Sequence, residues 1–319
     1  MNPQSPTQLH GSRLTLARVA WFALVILALA VNAADRPVRF NELRVPCAET
    51  EEECPLLALS PQEADALRDA GLSLDFYAGF HVGVEIFSLV MHTLLAGLIF
   101  WRRSDDRMGL FVSLTLVMNG VFFSSSGQAL VKLYPSLTLL VNLSWAFATI
   151  PFVTLFYLFP DGRFVPRWTR LLAVATVVGV LSAAFLTGGP LFYTPGPWSD
   201  MMYFLLLGGI GVGLFAQVYR YRRVSGPAQR QQTKWVVFGL GATVLVLLTW
   251  TFGFELYPPP PGPTRLFLNL FGAGALFPVI LSFPLSLTIA ILRYRLWDID
   301  VLINRTMVYG ALTGALALV

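Results

Sequence analysis

AGFHVGVEIFSLVMHTLLAG, residues 78–97, is a run of 20 residues in which Glu85 carries the only formal charge with the histidines neutral. At 1.5 Å per residue, about 20 apolar residues cross the hydrocarbon core of a bilayer as an α-helix. Lipid offers no hydrogen-bond partner, so the backbone amides of such a run must be paired within their own segment, which excludes an open strand. The run therefore predicts a membrane-spanning helix.

The rest of the chain repeats this pattern. Of its 319 residues, 55% are hydrophobic and 13% are charged, whereas soluble proteins have about 25% charged residues. We predict an all-α fold, a polytopic membrane helix bundle with eight transmembrane helices and the start of a ninth at 306–319. The eight predicted spans are 19–34, 78–100, 108–130, 139–159, 171–192, 200–218, 235–254 and 266–291.

The basic residues predict which side of the membrane each loop occupies. Alternating the spans places sixteen of the 22 Lys and Arg residues on one side, and cytoplasmic loops are the ones that retain Lys and Arg. The tail 1–18 is then cytoplasmic and the segment 35–77 extracytoplasmic, in a multi-pass protein of the plasma membrane. The net charge of +4 follows from this topology. Its predicted partner is the lipid bilayer, and no nucleic acid is needed to explain it.

The first span, 19–34, has two interpretations. Arg13 and Arg18 precede an apolar stretch that ends in VNAA, residues 31–34. A basic start, an apolar centre and small residues at the end also describe a cleaved secretory signal peptide. We favour a retained anchor, and either interpretation leaves the next loop outside.

The outer segment 35–77 contains both cysteines of the chain, Cys47 and Cys54. Thiols outside the cytoplasm are oxidised, so two close cysteines predict a disulfide. A zinc site is the alternative, but two thiols without a nearby histidine fall short of four ligands. Ser60 with Glu63 predicts a capped helix start. With 43 residues the segment has little apolar material for a core of its own, so we expect a small lid on the bundle.

His81, Glu85 and His92 form the one ionisable group inside a predicted span. Their spacing places them within about 40° of each other around a helix, with His92 about 16 Å along the axis from His81. One metal ion cannot bind both histidines, whereas His81 is within hydrogen-bonding reach of Glu85. One hypothesis is a pH- or ligand-responsive sensing site, because ionisable groups in a membrane are costly. The other is a polar seam that hydrogen-bonds a neighbouring helix.

The sequence contains no catalytic signature. We find no nucleophile elbow, zinc-protease pair, phosphate-binding loop or metal-spaced Cys/His set. We therefore predict no catalytic, cofactor-binding or metal-binding residue in these 319 residues.

Four stretches resemble the multi-span membrane input regions of bacterial two-component sensor histidine kinases. They are SLDFYAGFHVGVE at 73–85, FWRRSDDRMGLFVSL at 100–114, FPDGRFVPRW at 159–168 and YRLWDIDVLINRTMVYGALTGALA at 294–317. The resemblance implies a homodimer and a parent protein with a kinase domain that uses ATP and magnesium. It also implies that a response regulator binds through that output domain. No residue of the kinase domain or of its ATP site maps onto this chain.

LRYRLWDIDVLINR, residues 292–305, separates the bundle from the predicted ninth span. Fourteen apolar residues do not cross a core of about 30 Å, so we expect a truncated or partial chain. We predict a cytoplasmic juxtamembrane linker that couples the bundle to an output, with a plain loop as the alternative. Two other functions stay open, a transporter or permease and the same input region joined to a phosphatase or cyclase. The candidate coupling residues of the linker are Arg295, Trp297, Asp298, Asp300 and Arg305.

Overall fold

The structure, a computed structural model, describes residues 8–47, 57–124, 127–186, 197–250 and 259–292. These ranges are helical and contain no strand, so the all-α prediction is confirmed for them. The α-helices are α1 Gly11–Leu43, α2 Pro61–Asp69, α3 Leu74–Arg103, α4 Arg107–Phe123, α5 Gln128–Leu133, α6 Thr138–Leu158, α7 Thr169–Leu186, α8 Pro197–Arg223, α9 Pro227–Trp250, α10 Pro263–Ile280 and α11 Ser282–Leu292.

Five helical stretches in the described ranges are long and apolar enough to cross a membrane. They are Gly11–Leu43, Leu74–Arg103, Pro135–Leu158, Thr169–Leu186 and Phe204–Arg223. The shorter helices α4 and α11 are also apolar. This composition is consistent with a membrane protein. The remaining predicted spans, 108–130, 235–254 and 266–291, stay predictions.

α1 is longer than the predicted first span, which ended at Ala34. The helix continues without interruption to Leu43, over 33 residues. Arg36 and Arg39, which we assigned to an outer loop, therefore lie on a helix, and Arg39 is 1% exposed. Carboxylates on α1 and α3 pair with both arginines, which explains how the helix can carry them inside the bundle.

The predicted span 108–130 is divided into two helices. α4 ends at Phe123, and α5 begins after Gly127, whose φ is +101°. Glycine has no Cβ and accepts this left-handed conformation. Asp35 on α1 accepts a hydrogen bond from the backbone N–H of Leu130 at 3.1 Å, so a side chain of another helix binds the first turn of α5.

The predicted span 266–291 is interrupted as well. α10 ends at Ile280 and α11 begins at Ser282. Pro284 has no backbone N–H and cannot donate to the carbonyl of Ile280, four residues earlier. The interruption therefore lies where the missing proton predicts a bend.

α2 has the predicted start and packs on the bundle. The Ser60 side chain accepts from the N–H of Glu63 at 3.3 Å, and the Ser60 N–H donates to the Glu63 carboxylate at 2.7 Å. This capping box confirms the prediction. Leu67 belongs to a buried cluster with Tyr77 of α3 and Leu266 of α10, so α2 covers one end of these helices.

Two contacts join pairs of residues for which the basic residues predict a common side of the membrane. At one end of the bundle, Leu9 N–H donates to the carbonyl of Asp105 at 2.7 Å. At the other end, Lys132 pairs with Glu42 at 3.1 Å. The alternation of the spans across a membrane, and which end faces the cytoplasm, stay predictions.

The outer surface of α1 is apolar at helical spacing. Leu16, Val19, Phe22 and Ile26 are 70%, 59%, 49% and 63% exposed. Residues three and four apart share one face of a helix, so these side chains form a continuous stripe. Such a stripe suits contact with lipid better than contact with water.

The main core joins α6 to α11 and their neighbours. The rings of Phe152 and Phe156 on α6 lie 5.8 and 5.9 Å, centroid to centroid, from the ring of Phe283 on α11. α11 also packs against α3 and α9. These contacts place the helix that precedes residues 293–305 against the helix that carries Glu85.

Candidate functional site

The polar stripe of α3 points into the bundle. His81, Glu85 and His92 are 2%, 6% and 0% exposed. The opposite side of the helix is apolar and exposed, so the side chains that we predicted to share one face lie on the buried face. Its exposed residues include Ile86, Phe87, Val90 and Leu94.

Glu85 is paired with arginines of α1. Arg36 Nη1 donates to Glu85 Oε2, and Arg39 Nε lies 3.8 Å from Glu85 Oε1. The side chains of Arg36 and Glu85 are 11% and 8% exposed. Two partly desolvated charges attract each other strongly, and the pair offsets the cost of removing each from water. The pair therefore fastens α1 to α3.

A second carboxylate, Asp35, is next to Arg36. Their charged atoms are 3.1 Å apart, and the Asp35 side chain is 0% exposed. Arg36 also donates to the backbone carbonyl of Ser124 at 2.6 Å, and Asn32 donates to the Ser124 hydroxyl at 2.5 Å. Ser124 follows the last residue of α4, so α1 is connected to the end of α4 as well.

The cluster reaches the end of the bundle through Glu42. Arg39 Nη1 donates to Glu42 Oε2 at 2.9 Å, and Lys132 of α5 donates to Glu42 Oε1 at 3.1 Å. We refer to Asp35, Arg36, Arg39, Glu42 and Glu85 as the arginine–carboxylate cluster. Two cations and three anions of two long helices meet there, with Lys132 at the exposed edge.

His81 does not bind Glu85 by a hydrogen bond. The Glu85 carboxylate forms ion pairs with the two arginines. His81 Nε2 is buried without a hydrogen-bond partner among the described residues. The imidazole instead packs against the ring of Tyr77, with centroids 4.5 Å apart. The histidine is thus next to the arginine–carboxylate cluster on α3 but is not one of its ion-pair partners.

His92 links α3 to α4. Its Nε2 lies 3.3 Å from the side-chain amide nitrogen of Asn119, and its Nδ1 lies 2.9 Å from the carbonyl of Ser88. If the amide donates to Nε2, then Nδ1 carries the proton and donates to the carbonyl. This describes a neutral imidazole in a polar seam between two helices, as the second hypothesis for the stripe expected.

A second buried arginine organises the loop between α6 and α7. Arg220 of α8 is 1% exposed and pairs with Asp161 of that loop. The same guanidinium donates to the carbonyl of Arg163 and, at 3.3 Å, to that of Tyr157. Gly162, with φ +75°, makes a turn at this point. Arg220 is therefore a structural residue of the loop.

Gln217, three residues before Arg220, binds the same region. Its side-chain nitrogen donates to the carbonyls of Phe156 and Phe159 at 2.6 and 3.0 Å. Residues at positions i and i+3 share one helical face. That spacing in α8 was the signal from which an inward-facing polar pair could have been inferred.

The arginines of α1 carried a similar signal. Asp35, Arg39 and Glu42 are spaced by four and three residues, which places them on one helical face if the helix continues past Ala34. The predicted first span ends at Ala34 and does not include Arg36 and Arg39, so the sequence did not reveal these partners of Glu85.

Several predicted site residues lie outside the described part of the chain. Cys47 is bonded in a disulfide, and its predicted partner, Cys54, falls in the segment 48–56 that is outside the described residues. The pairing stays a prediction. The candidate coupling residues also lie outside the described residues: Arg295, Trp297, Asp298, Asp300 and Arg305.

Within the described ranges, no group of three or more His, Cys, Asp or Glu side chains is arranged to hold a metal ion. No family model, curated protein or solved structure matches this chain. The function is therefore argued from the residues and their contacts.

Proposed function

We propose that this chain is the membrane-embedded sensory input region of a signal-transducing protein, the N-terminal part of a two-component sensor histidine kinase. The kinase part of the proposal rests on the sequence resemblance, and the arginine–carboxylate cluster is the structural observation that supports a sensory role. It connects α1 to α3, α4 and α5 through charges that are costly to bury unless they are paired. In the proposal, a second arrangement with different pairs is the alternative state that a switch needs.

A stimulus acts by stabilising one arrangement more than the other, because only a difference in affinity moves such an equilibrium. A ligand, a proton or a change in the bilayer that competes for Glu85 would release Arg36. α1 would then lose its ion pair with α3.

α11 offers a route from the cluster to the other end of the molecule. It packs against α3 and α9, and Gln232 of α9 donates to the carbonyl of Ala290 at 3.1 Å. A shift of α3 would displace α11 and the residues 293–305 that follow it. In the proposal this linker passes the displacement to the output domain of the parent, where ATP, magnesium and the response regulator bind.

The test is the effect of Glu85→Gln on the full-length parent in membrane vesicles. The variant removes the charge that holds Arg36 but keeps an oxygen that can accept a hydrogen bond. We expect autophosphorylation to change at least threefold, with correct insertion and a loss of about 1.5–3 kcal/mol in the free energy of unfolding. Asp65→Asn is the control, because the Asp65–Arg68 pair is 65% and 68% exposed and an exposed pair contributes under about 1 kcal/mol.

Autophosphorylation at the wild-type level in Glu85→Gln, measured between about pH 5 and 8, would rule out sensing through the cluster. Arg36→Lys is a second variant for the case that the first does not insert. It keeps the charge but loses the planar fork that binds two partners at once, so we expect a change in the same direction.

A transporter is the second candidate. The structure supports it more strongly than the sequence alone. The sequence placed ionisable residues in one span, whereas the structure brings residues of α1 and α3 together. A transport path needs ionisable groups from several helices. Substrate flux in vesicles that contain the purified chain would support this candidate against the kinase proposal.

The type of output domain is a separate question. A phosphatase or cyclase could follow the same input region, and the gene sequence downstream of the Val319 codon distinguishes these classes. The proposed homodimer follows from the resemblance alone and is tested by the mass of the protein in detergent.

A further inference from the structure

A groove of about 330 Å³ lies between α8 and α9, close to the end of α8. This volume is at the lower end of the range of ligand pockets. Val218 of α8 with Val237 and Phe238 of α9 supply its apolar lining. The groove therefore has room for a flexible apolar chain and has the surface chemistry to hold one.

Two cationic side chains line the same groove. Arg222 of α8 and Lys234 of α9 lie on its two sides. Arg222 is exposed and has no ion-pair partner among the described residues. A third cation, Arg230, lies 5.7 Å from the ring of Tyr221, which also lines the groove. The positive charge next to the apolar lining is thus built from both helices.

Polar atoms complete the lining. Gln217 and Thr233 line the groove, and Gln217 Oε1 and Thr233 Oγ1 are buried without a hydrogen-bond partner among the described residues. Buried oxygens without partners are uncommon in proteins.

We propose that this groove is a binding site for one anionic phospholipid, with its phosphate between Arg222 and Lys234 and an acyl chain along Val218, Val237 and Phe238. The two cations select an anion, and the apolar lining selects an acyl chain. A soluble phosphate would contact the cations but not the apolar lining. The predicted orientation places this end of α8 at the cytoplasmic leaflet, which is the anionic one. The inference rests on the membrane location and does not depend on the kinase proposal.

The test titrates the purified full chain in detergent with phosphatidylglycerol and counts bound lipid by native mass spectrometry. Each cation near a lipid surface contributes about 1 kcal/mol, so we expect Arg222→Gln with Lys234→Gln to weaken binding about 30-fold. The matched control is Arg167→Gln with Arg170→Gln. It removes the same charge from two exposed residues, Arg167 of the loop between α6 and α7 and Arg170 in the first turn of α7, and should leave binding within about twofold.

A second variant fills the groove without changing the charge. Val218 is 44% exposed and lines the groove, whereas Val224 is 53% exposed and does not. We expect Val218→Trp to abolish retention of phosphatidylglycerol and Val224→Trp to preserve it. Because both residues are at the surface, neither change should prevent folding.

Three results would overturn the proposal. Equal retention of phosphatidylcholine would show that charge does not select the lipid. Displacement of phosphatidylglycerol by millimolar inorganic phosphate would identify a soluble anion as the ligand. An equal loss of phosphatidylglycerol binding in the control variant, Arg167→Gln with Arg170→Gln, would show that net charge alone attracts the lipid.

Discussion

Three arginines, the buried Arg39 and Arg220 and the largely buried Arg36, have their charge matched by oxygens of other helices or loops. Arg36 and Arg39 share Glu85, and Arg220 combines the Asp161 carboxylate with backbone carbonyls. The guanidinium offers five donors in a planar fork, so it can hold several acceptors at once. At the scale of the residue, these side chains act as connectors between segments that are distant in sequence.

Removing the guanidinium of Arg220 should increase local opening of the loop between α6 and α7. In Arg220→Gln the carboxylate of Asp161 and the carbonyl of Arg163 lose a charged donor, and a charge-assisted hydrogen bond contributes about 1.5–3 kcal/mol. We expect hydrogen exchange at the amides of residues 161–165 to increase at least tenfold, measured by mass spectrometry in detergent. Arg223→Gln, an exposed neighbour on α8, is the control. Equal exchange in the two variants would contradict the role of Arg220.

At the scale of the element, α3 and α4 are held by close packing as well as by the seam at His92. A Cβ atom at Gly120 of α4 would lie 2.7 Å from Cβ of His92, which is closer than two carbon atoms approach. The glycine therefore allows the two helices to touch at the level of the His92–Asn119 contact. Small residues at such positions are typical of helix contacts in membranes.

Gly120→Ala should separate α3 from α4 and lower the free energy of unfolding by about 1–3 kcal/mol. Gly97→Ala on α3 is the control, because its Cβ would meet nothing within 4 Å. Replacing an exposed helical glycine by alanine should stabilise the helix by about 0.5–1 kcal/mol. Unfolding in mixed micelles compares the two variants, and a destabilised Gly97→Ala together with an unchanged Gly120→Ala would refute the packing argument.

At the scale of the whole molecule, polar contacts concentrate at the two ends of an apolar bundle. One end has the arginine–carboxylate cluster and the cap formed by α2, where Glu63 pairs with Arg265 at 3.1 Å. The other end has Arg220, the loop between α6 and α7 and the groove between α8 and α9. The basic residues predict that the second end faces the cytoplasm.

Cysteine labelling on intact cells tests this orientation. Asp65 of α2 and Arg167 of the loop between α6 and α7 are both exposed. We expect an impermeant maleimide to modify Asp65→Cys in intact cells and Arg167→Cys only after the membrane is opened. Asp298→Cys should behave like Arg167→Cys. Labelling of Asp298→Cys from outside would reverse the assignment of the linker to the inner side.

The sequence by itself determined the helical class, the capping box of α2 and the helical face that Glu85 shares with His81 and His92. These depend on composition and on spacing along one helix, and a helix pairs its backbone groups within its own segment. The tertiary structure alone decided that α1 continues past Ala34 and that Arg36, not His81, binds Glu85. Both facts depend on which charge of another helix comes within reach of the carboxylate, and spacing within one segment contains no information about that distance.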